Sequence, residues 1–512
     1  MFMKYNALLL FSLMVSVMVL RGQNVLISTV NSPAEPAIAI DPKHPNMLIG
    51  AAGIRNYYVS LDTGKNWTQY KLSSSYGVWG DAAIFVDTLG NFYFFHLSMP
   101  PEGHWIDRIV CQRTSDNGLS FNDGSYAGLN GSKNQDKHWC VVDRRDNAIY
   151  MSWTQFDVYG SVLGKDSSNI LFSMSVDLGA TWSAPVRINN VAGDCRDSAN
   201  TVEGAVPAVG PNGEVYVAWA GPSGLVFNKS IDKGNTWMKE EQVICPIPGG
   251  WDFDIHGISR CNGLPVTVCD LSNGANRGTI YVNWSDQRNG ADNTDIWLTK
   301  SKDGGKTWSA AAKVNDDTSK RQQFMTFMTI DQTTGYLYFV FYDRRNYSGD
   351  STDVYVAVSM DGGTTFINHK VSESPFVPYK ETFFGDYTGI TASNGIIRPI
   401  WTRLDGNKLS VWTDLTTLDE IVKDVKPNGA TSNSLTTKIN ITYKLKESAK
   451  VSLYITDSMG FEVYKVFGQK GRGKGLHTDG VDIKKAKLGA GSYILKLKAD
   501  NEIICSRNFD VK

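Results

Sequence analysis

Short stretches in which hydrophobic and polar residues alternate recur along most of the chain, separated by glycine-containing turns. One group is clear: Leu264–Val268, Thr279–Trp284, Asp295–Lys300 and Ala312–Val314. Alternation with a period of two predicts β-strands with one buried face, and helical periodicity is nearly absent. The pattern therefore predicts an all-β protein built from repeated four-strand units.

One turn motif occurs in six copies, each before the last strand of a unit. It reads Ser-x-Asp-x-Gly-x-x-aromatic, with Thr114 in place of Ser in the second copy. Successive aspartates are 54 to 71 residues apart, which indicates a repeat architecture. We expect Asp to accept backbone hydrogen bonds and Gly to adopt a conformation closed to other residues, so the aspartates are predicted to be structural. The six aspartates are Asp62, Asp116, Asp177, Asp232, Asp303 and Asp361.

The motifs resemble the Asp boxes, or BNR repeats, of sialidases and related proteins, over residues 30 to 415. The resemblance implies a β-propeller, to which we assign residues 23–422. A seventh unit, Asp386–Ala392, Ile396–Trp401 and Leu409–Trp412, lacks a motif and a fourth strand. Asn24–Val30 could supply that strand and close the ring. This count predicts seven blades, and the six blades of sialidases are the alternative.

The two ends of the chain differ from the repeats. Residues 1–22 have Lys4 followed by a short apolar run, which predicts a signal peptide and a secreted or cell-surface protein with no transmembrane segment in the mature chain. Residues 423–430 read as a linker. Residues 431–512 resemble the C-terminal sorting domain of type IX secretion substrates, which implies a small β-sandwich that engages that machinery. An immunoglobulin-like accessory module is the alternative.

Charge and cysteine content exclude several classes of protein. The formal net charge is −1, which gives no basic surface for nucleic acid. The seven cysteines show no metal-ligand spacing, so no metal and no cofactor are expected. Cys245 and Cys261 bracket one long loop and could form a disulfide after export.

A propeller carries its Asp boxes on one face, so binding is expected on the opposite face, over the central funnel. Its loops mix charged and aromatic residues, which suits a glycan or glycoprotein as partner but would also suit a protein. The residues placed there are Arg55, Trp79, Asp81, Asp136, His138, Trp139, Glu203, Trp251, Asp252, Asp254, His256, Arg260, Asp286, Arg288, Asp343, Arg345, Tyr379, Glu381, Asp386 and Tyr387.

The resemblance to sialidases implies a glycoside hydrolase in which three arginines bind the carboxylate of the sugar. In chain order Arg55, Arg288 and Arg345 match the arginines, and Trp79 and Trp251 are predicted to stack on the substrate. The catalytic residues implied are Asp81 as acid/base and Tyr387 as a nucleophile activated by Glu203. The alternative is a non-catalytic propeller that binds glycan or protein at the cell surface.

Two loops repeat one local pattern. Trp284–Asn289 leads to Asp295, and Tyr342–Asn346 leads to Asp353. Three interpretations stay open for it: an Asp–Arg pair that stabilises each loop, an arginine pair directed at a ligand carboxylate, or a structural calcium site built from the acidic residues.

Overall fold

The computed structural model describes residues 24–423, 438–445, 447–457, 461–488, 491–500 and 502–511. The predicted signal peptide and residues 424–430 of the predicted linker lie outside these ranges. The chain forms two compact units, and strands dominate both. In the described ranges, no helix is long and apolar enough to cross a bilayer.

The first unit consists of seven four-stranded antiparallel sheets, named here blades 1 to 7. Strand β1 (Asn24–Ser28) comes first in the chain and belongs to blade 7. Blade 1 has β2 (Ala37–Ile40), β3 (Leu48–Ala52), β4 (Asn56–Ser60) and β5 (Thr68–Lys71). Blade 2 has β6 (Gly80–Val86), β7 (Phe92–Leu97), β8 (Ile109–Thr114) and β9 (Ser125–Ala127). Blade 3 has β10 (Asn134–Val142), β11 (Ile149–Phe156), β12 (Ser168–Ser175) and β13 (Val186–Arg187).

Blade 4 has β14 (Glu203–Val209), β15 (Val215–Gly221), β16 (Gly224–Ser230) and β17 (Gln242–Cys245). A small hairpin, β18 (Asp252–Phe253) and β19 (Cys261–Asn262), interrupts the connection to the next blade. Blade 5 has β20 (Val266–Cys269), β21 (Ile280–Asp286), β22 (Asp295–Ser301) and β23 (Ala312–Lys313). Blade 6 has β24 (Gln323–Asp331), β25 (Tyr336–Asp343), β26 (Asp353–Ser359) and β27 (Ile367–Lys370). Blade 7 has β28 (Gly389–Ser393), β29 (Ile396–Asp405) and β30 (Lys408–Asp414), and helix α1 (Leu418–Lys423) follows it.

The seven sheets form a closed ring. The first strand of each blade contacts the first strand of the next, and β28 contacts β2. In blade 7 the N-terminal strand β1 pairs antiparallel with β30, so that Asn24 lies opposite Asp414. The Asn24 amide donates a hydrogen bond to the Asp414 carboxylate over 2.7 Å. The predicted seven-bladed propeller, closed by the N-terminal strand, is therefore confirmed, and the six-bladed alternative is wrong.

The six repeated turns connect the third and fourth strands of blades 1 to 6. In blade 5, Ser301 Oγ donates to Asp303 Oδ1 over 2.8 Å and accepts the Gly305 N–H over 2.8 Å. The same two bonds occur in the other five turns. The Trp308 ring closes the turn and packs edge-on against Phe227 of blade 4, with centroids 5.1 Å apart. Each such turn therefore also seals a seam between blades.

The second unit is a β-sandwich with a core of its own. One sheet pairs β31 (Lys438–Leu445) with β34 (Gly475–Asp482), and helix α2 (Ile483–Ala486) follows. The other sheet has the order β33 (Glu462–Arg472), β32 (Ala449–Asp457), β35 (Gly491–Ala499) and β36 (Glu502–Val511). Tyr443 and Val481 from the first sheet pack with Leu453, Ile455 and Leu495 from the second. The predicted small sandwich is present.

A matched pair of glycines tests the packing of these turns. Gly304 and Gly305 both have positive φ, but only at Gly305 would a Cβ lie 2.3 Å from the Phe227 ring, whereas at Gly304 the nearest atom is 3.7 Å away. We expect Gly304→Ala to cost about 1 kcal/mol, from backbone strain alone. We expect Gly305→Ala to cost about 3 kcal/mol, because overpacking adds to the strain. Urea unfolding measures both, and equal losses would contradict the proposed contact.

Candidate active site

The inner strands of the propeller begin with an irregular backbone. In blades 2, 3, 4 and 6 a β-bulge interrupts the pairing of the first two strands. The first bulge residue has positive φ in all four: Asp81 (51°), Lys137 (47°), Gly204 (73°) and Met325 (49°). Glu35, just before the inner strand of blade 1, has φ 54°. For residues other than glycine this conformation costs about 1–2 kcal/mol each, and such strain concentrates at functional sites.

These bulges lie on the face opposite the six turns. Neighbouring strands of a blade are antiparallel, so its first and third strands run in the same direction. Both therefore end at the face that carries the repeated turns. The beginning of each inner strand therefore lies at the other face, where the sequence predicted the binding loops. Three of the strained residues carry ionisable side chains, and all three belong to one charged cluster in the funnel.

Lys137 lies at the centre of this cluster. Its Nζ is 2.8 Å from Asp386 Oδ2 and 3.3 Å from Asp81 Oδ2. Arg260 approaches Asp386 from the other side, with Nε donating to Oδ1 over 2.7 Å and Nη2 contacting Oδ2. Its Nη1 donates to Asp197 Oδ2 over 2.7 Å. Two cations are thus held between three carboxylates. Burial opposes ionisation of Asp386, but Lys137 and Arg260 hold its pKa far below the usual range.

Asp81 and its neighbour Asp136 have opposite protonation preferences. Burial raises the pKa of Asp136 well above its usual range, with Lys137 opposing the rise and Asp81 adding to it. Burial would also raise the pKa of Asp81, but Lys137 and a hydrogen bond from Asp136 lower it. The arrangement is a protonated Asp136 that donates to an ionised Asp81.

Glu35 and Glu203 also favour their protonated forms. The pKa of Glu35 is raised well above its usual range by burial and then by Asp81 and Asp386. One of its carboxyl oxygens, Oε1, accepts the Asp386 N–H over 3.3 Å. Glu203 is 0% exposed, and neither of its carboxyl oxygens has a hydrogen-bond partner within the described part of the chain. Burial, Asp197 and Asp136 raise its pKa.

Tyr387 lies partly exposed beside the cluster. Burial, followed by Asp81 and Glu35, raises the pKa of its phenol well above the usual range, so the hydroxyl keeps its proton. Its ring packs edge-on against Trp139, with centroids 5.3 Å apart, and Trp139 contacts Phe327 at 5.1 Å. Trp139 and Phe327 also line a largely apolar cavity of about 270 Å³ along the inner strands. Apolar side chains therefore border the cluster, which explains why its charged groups are removed from water.

An aromatic wall leads from the rim to the cluster. Trp79 and Trp105 meet edge-to-face with centroids 6.0 Å apart, and Trp105 meets Tyr159 in the same way at 5.4 Å. Trp79 and Trp105 are 40% and 36% exposed. The Tyr159 hydroxyl donates to Asp197 Oδ2 over 2.6 Å, so the wall ends at the acid that binds Arg260. Exposed aromatic surface beside charged groups suits the C–H faces and hydroxyls of a sugar.

The structure brings together some of the predicted site residues. Asp81, Glu203 and Tyr387 all belong to the charged cluster. Trp79 lies in the aromatic wall. Trp251 instead is 4% exposed, and its indole N–H donates to the Thr201 carbonyl over 3.0 Å. Its prediction as a stacking residue is wrong, because its ring packs in the core.

The predicted arginines do not share a partner. Arg288 forms an ion pair with Asp286 at 2.6 Å, and its guanidinium lies 4.3 Å from the Trp297 ring centroid. Arg345 repeats the arrangement with Asp343 at 2.7 Å and the Tyr355 ring at 4.3 Å. This geometry matches the Asp–Arg pair that was one of three interpretations of the repeated loop pattern. Arg55 lies in a separate pocket on the same face, described below.

Two central residues escaped the sequence analysis. Glu35 and Lys137 lie in stretches without a motif, before and within inner strands. A bulge at Lys137 and a positive φ at Glu35, just before the inner strand of blade 1, bring these side chains to the cluster. Asp136, Arg260 and Asp386 were among the loop residues placed on this face, without an assigned role. The succession of Asp136 and Lys137 beside His138, three polar residues at a strand start, is a signal that could have suggested a bulge.

The acidic, histidine and cysteine side chains of the described ranges form neither a metal site nor a disulfide. No group of three or more His, Cys, Asp or Glu side chains is arranged to hold a metal ion in the described ranges. The six described cysteines, Cys111, Cys140, Cys195, Cys245, Cys261 and Cys269, are free. Cys245 and Cys261, which could have formed a disulfide, are therefore unpaired in this structure.

Comparison with known proteins extends only to the fold. No family profile and no curated protein matches the chain. Similar solved structures include the NanB sialidase of Streptococcus pneumoniae (10% identity, TM-score 0.44, 73% of this chain and 84% of that one). The α-L-arabinofuranosidase Arb93A of Fusarium graminearum is 13% identical, with a TM-score of 0.45 over 78% and 98% of the two chains. A PL25 ulvan lyase is 14% identical, with a TM-score of 0.46 over 76% and 95%.

Replacement of Glu203 by Gln tests the protonation of the buried cluster. A carboxyl group whose folded pKa is raised binds more protons folded than unfolded, so its contribution to stability falls as pH rises above the unfolded value. The amide of the variant cannot ionise. We expect Glu203→Gln to raise Tm, with a gain that grows as the pH rises above the ordinary pKa of a glutamic acid. The exposed Glu381→Gln serves as control, and a gain independent of pH would contradict the assignment.

Proposed function

We propose that the propeller hydrolyses glycosidic bonds in this funnel, with Glu35 and Asp81 as the reacting carboxyl groups. The observation that carries the proposal is the placement of both groups in one buried cluster: the Lys137 ammonium lies 3.3 Å from Asp81, and the Glu35 carboxyl accepts the Asp386 N–H over 3.3 Å. In this arrangement Lys137 lowers the pKa of Asp81, and burial raises that of Glu35. Glycoside hydrolysis needs one carboxyl group that holds a proton and one that is ionised at the same pH. The exposed aromatic wall beside the cluster supports a sugar as the ligand.

Glu35 is the better proton donor of the two acids beside Asp81. The proton of Asp136 is engaged in its hydrogen bond to Asp81, whereas the Glu35 carboxyl accepts a backbone N–H and has no further hydrogen-bond partner among the described residues. In the proposed reaction Glu35 gives its proton to the leaving oxygen as the bond from that oxygen to the anomeric carbon breaks. Asp81 takes a proton from the water whose oxygen attacks that carbon. Transfer of the proton from Asp81 to Glu35, through solvent, restores the starting state.

Lys137 and Asp136 are positioning residues in this proposal. The Lys137 ammonium stabilises the ionised form of Asp81, and Asp136 fixes the orientation of that carboxylate by a hydrogen bond. The strained backbone at Asp81 and Lys137 brings both side chains to the funnel. Any lengthening of these contacts would raise the pKa of Asp81 and remove the base.

The proposal differs from sialidase chemistry in the role of Tyr387. A tyrosine nucleophile needs a base that takes its proton or a neighbour that lowers its pKa. Burial, Asp81 and Glu35 raise the pKa of Tyr387 and outweigh Lys137, which lowers it. The carboxyl group of Glu203 is sealed from solvent and near Asp197 and Asp136. We therefore assign Tyr387 as a hydrogen-bond donor to a sugar hydroxyl. We assign Glu203 a structural role in the buried part of the cluster.

Export and attachment are proposed from the sequence alone. The N-terminal apolar run and the sandwich of the second unit support secretion to the cell surface through type IX machinery. Deletion of residues 431–512 in a bacterium that has this machinery should leave the protein inside the outer membrane. Unchanged surface exposure, measured by protease accessibility of whole cells, would contradict that role.

Substitution of the two carboxyl groups tests the proposed chemistry. After a screen of polysaccharides and aryl glycosides, we expect Glu35→Gln to lower kcat on a natural glycan by about 10²–10⁴-fold. The loss should be far smaller on a 2,4-dinitrophenyl glycoside, whose leaving group needs no proton. Asp81→Asn should lose activity on both. The exposed Asp254→Asn removes a carboxylate from the same face and should change neither rate.

The pH profile gives a second readout of the same variants. Because the pKa of Asp81 is lowered and that of Glu35 is raised, wild-type activity should be high between the two values. It should fall on the alkaline side as Glu35 loses its proton. Glu35→Gln should lose this alkaline limb on the dinitrophenyl substrate. Equal losses on both substrates would contradict Glu35 as the acid, and binding without turnover of any glycan would favour the non-catalytic alternative.

A further inference from the structure

A second pocket lies on the same face and has Trp79 in its wall. It has a volume of about 210 Å³ and lies between blades 1 and 2. Trp79 contributes to this pocket as well as to the aromatic wall. The residues that line it are Ile54, Arg55, Ser73, Ser74, Gly77, Val78, Trp79 and Met99.

The frame of this pocket is fixed by main-chain hydrogen bonds. The Leu72 N–H donates to the Arg55 carbonyl over 2.8 Å, and the Trp79 N–H donates to the Leu97 carbonyl over 2.9 Å. The Met99 N–H donates to the Tyr76 carbonyl over 3.1 Å. At Gly77 (φ 69°) a Cβ would lie 1.9 Å from the Met99 carbonyl oxygen, so the chain passes there without room for a side chain. The pocket is therefore preformed and would lose little entropy on binding a ligand.

The charge of this pocket is opposite to that of the cluster. Arg55 is its single ionisable lining residue, and in the described ranges its exposed guanidinium has no hydrogen-bonded or ion-paired partner. Arg260, Arg288 and Arg345 are each neutralised by aspartates. The Ser74 hydroxyl is already engaged, since it donates to the Asp123 carbonyl over 2.9 Å. The Arg55 guanidinium and the Ser73 hydroxyl remain as side-chain donors of the pocket, and a guanidinium beside an aromatic ring is suited to bind a planar or tetrahedral anion.

We propose that this pocket, the Arg55 pocket, binds an anionic substituent of a glycan. The glycosidic bond to be cleaved, between sugar units without charge, would lie at the cluster. The inference rests on the proposed function, because it takes a glycan as the ligand. The cluster places three ion-paired carboxylates against two cations, and this excess of negative charge would repel an anionic sugar unit, whereas Arg55 would attract one. Trp79 contributes to both regions, so a chain that follows the aromatic wall reaches both. The substrate is thus an acidic polysaccharide, with a carboxylate or a sulfate as the charged group.

Binding of matched oligosaccharides tests this pocket without any need for turnover. The probes are a hexagalacturonate, its neutral methyl ester and a sulfated carrageenan hexamer, titrated calorimetrically into the full chain. The first two differ only in charge, and the third distinguishes sulfate from carboxylate. We expect an acidic hexamer to bind about tenfold or more tightly than the neutral one. Arg55→Gln should abolish this preference, and Arg55→Lys should keep part of it because it retains the charge without the planar fork.

Arg196→Gln is the matched control, because it removes another exposed guanidinium from a loop of the same face. Its affinity for the acidic hexamers should equal that of the wild type. Equal binding of acidic and neutral hexamers would overturn the Arg55 pocket while leaving the proposed hydrolase intact. Equal losses in Arg55→Gln and Arg196→Gln would overturn it as well, since only general charge attraction would remain. If no hexamer binds but an aspartate octapeptide does, both this inference and the glycan ligand fail.

Discussion

The funnel depends on one buried ammonium group. Lys137 lies between Asp81 and Asp386 with little exposure, and burial by itself would lower its pKa. The surrounding carboxylates more than reverse this effect, so Lys137 stays charged and keeps Asp81 and Asp386 ionised in return. An unpaired buried charge costs several kcal/mol, whereas a fully engaged one is tolerated. Removal of any one member would leave the others uncompensated.

The acids of the cluster also differ in their protonation. Four acids, Glu35, Asp81, Asp136 and Asp386, lie near one lysine and one arginine, and not all of them can be ionised. Those nearest the cations ionise, while Glu35 and Asp136 keep their protons. Acid and base functions thus arise from position relative to two cations and not from residue type. This is the property that makes the site suitable for proton transfer at a sugar.

The propeller makes this strained arrangement possible. Seven inner strands converge on one axis, and bulges at their beginnings turn Asp81 and Lys137 to the funnel against a conformational cost. The closed ring, the aromatic seams of the six turns and the pairing of β1 with β30 hold the strained residues in place. The same bulges explain why Lys137 escaped detection, because an extra residue changes which side chains face the axis.

The sequence by itself determined the repeat, the strand pattern, the closure by the N-terminal strand and the face that carries the loops. These features follow from local rules: alternation sets strand faces, and each Ser-x-Asp-x-Gly turn forms from neighbouring residues. Among the predicted site residues it placed Asp81, Glu203 and Tyr387 correctly near one another, through their order in the resemblance. Only the tertiary structure decided the rest. Which arginine is neutralised, which tryptophan is buried and which acid keeps its proton depend on groups far apart in the chain. Arg260 is neutralised by Asp386, 126 positions away, whereas Arg55 meets no such acid in the described part of the chain.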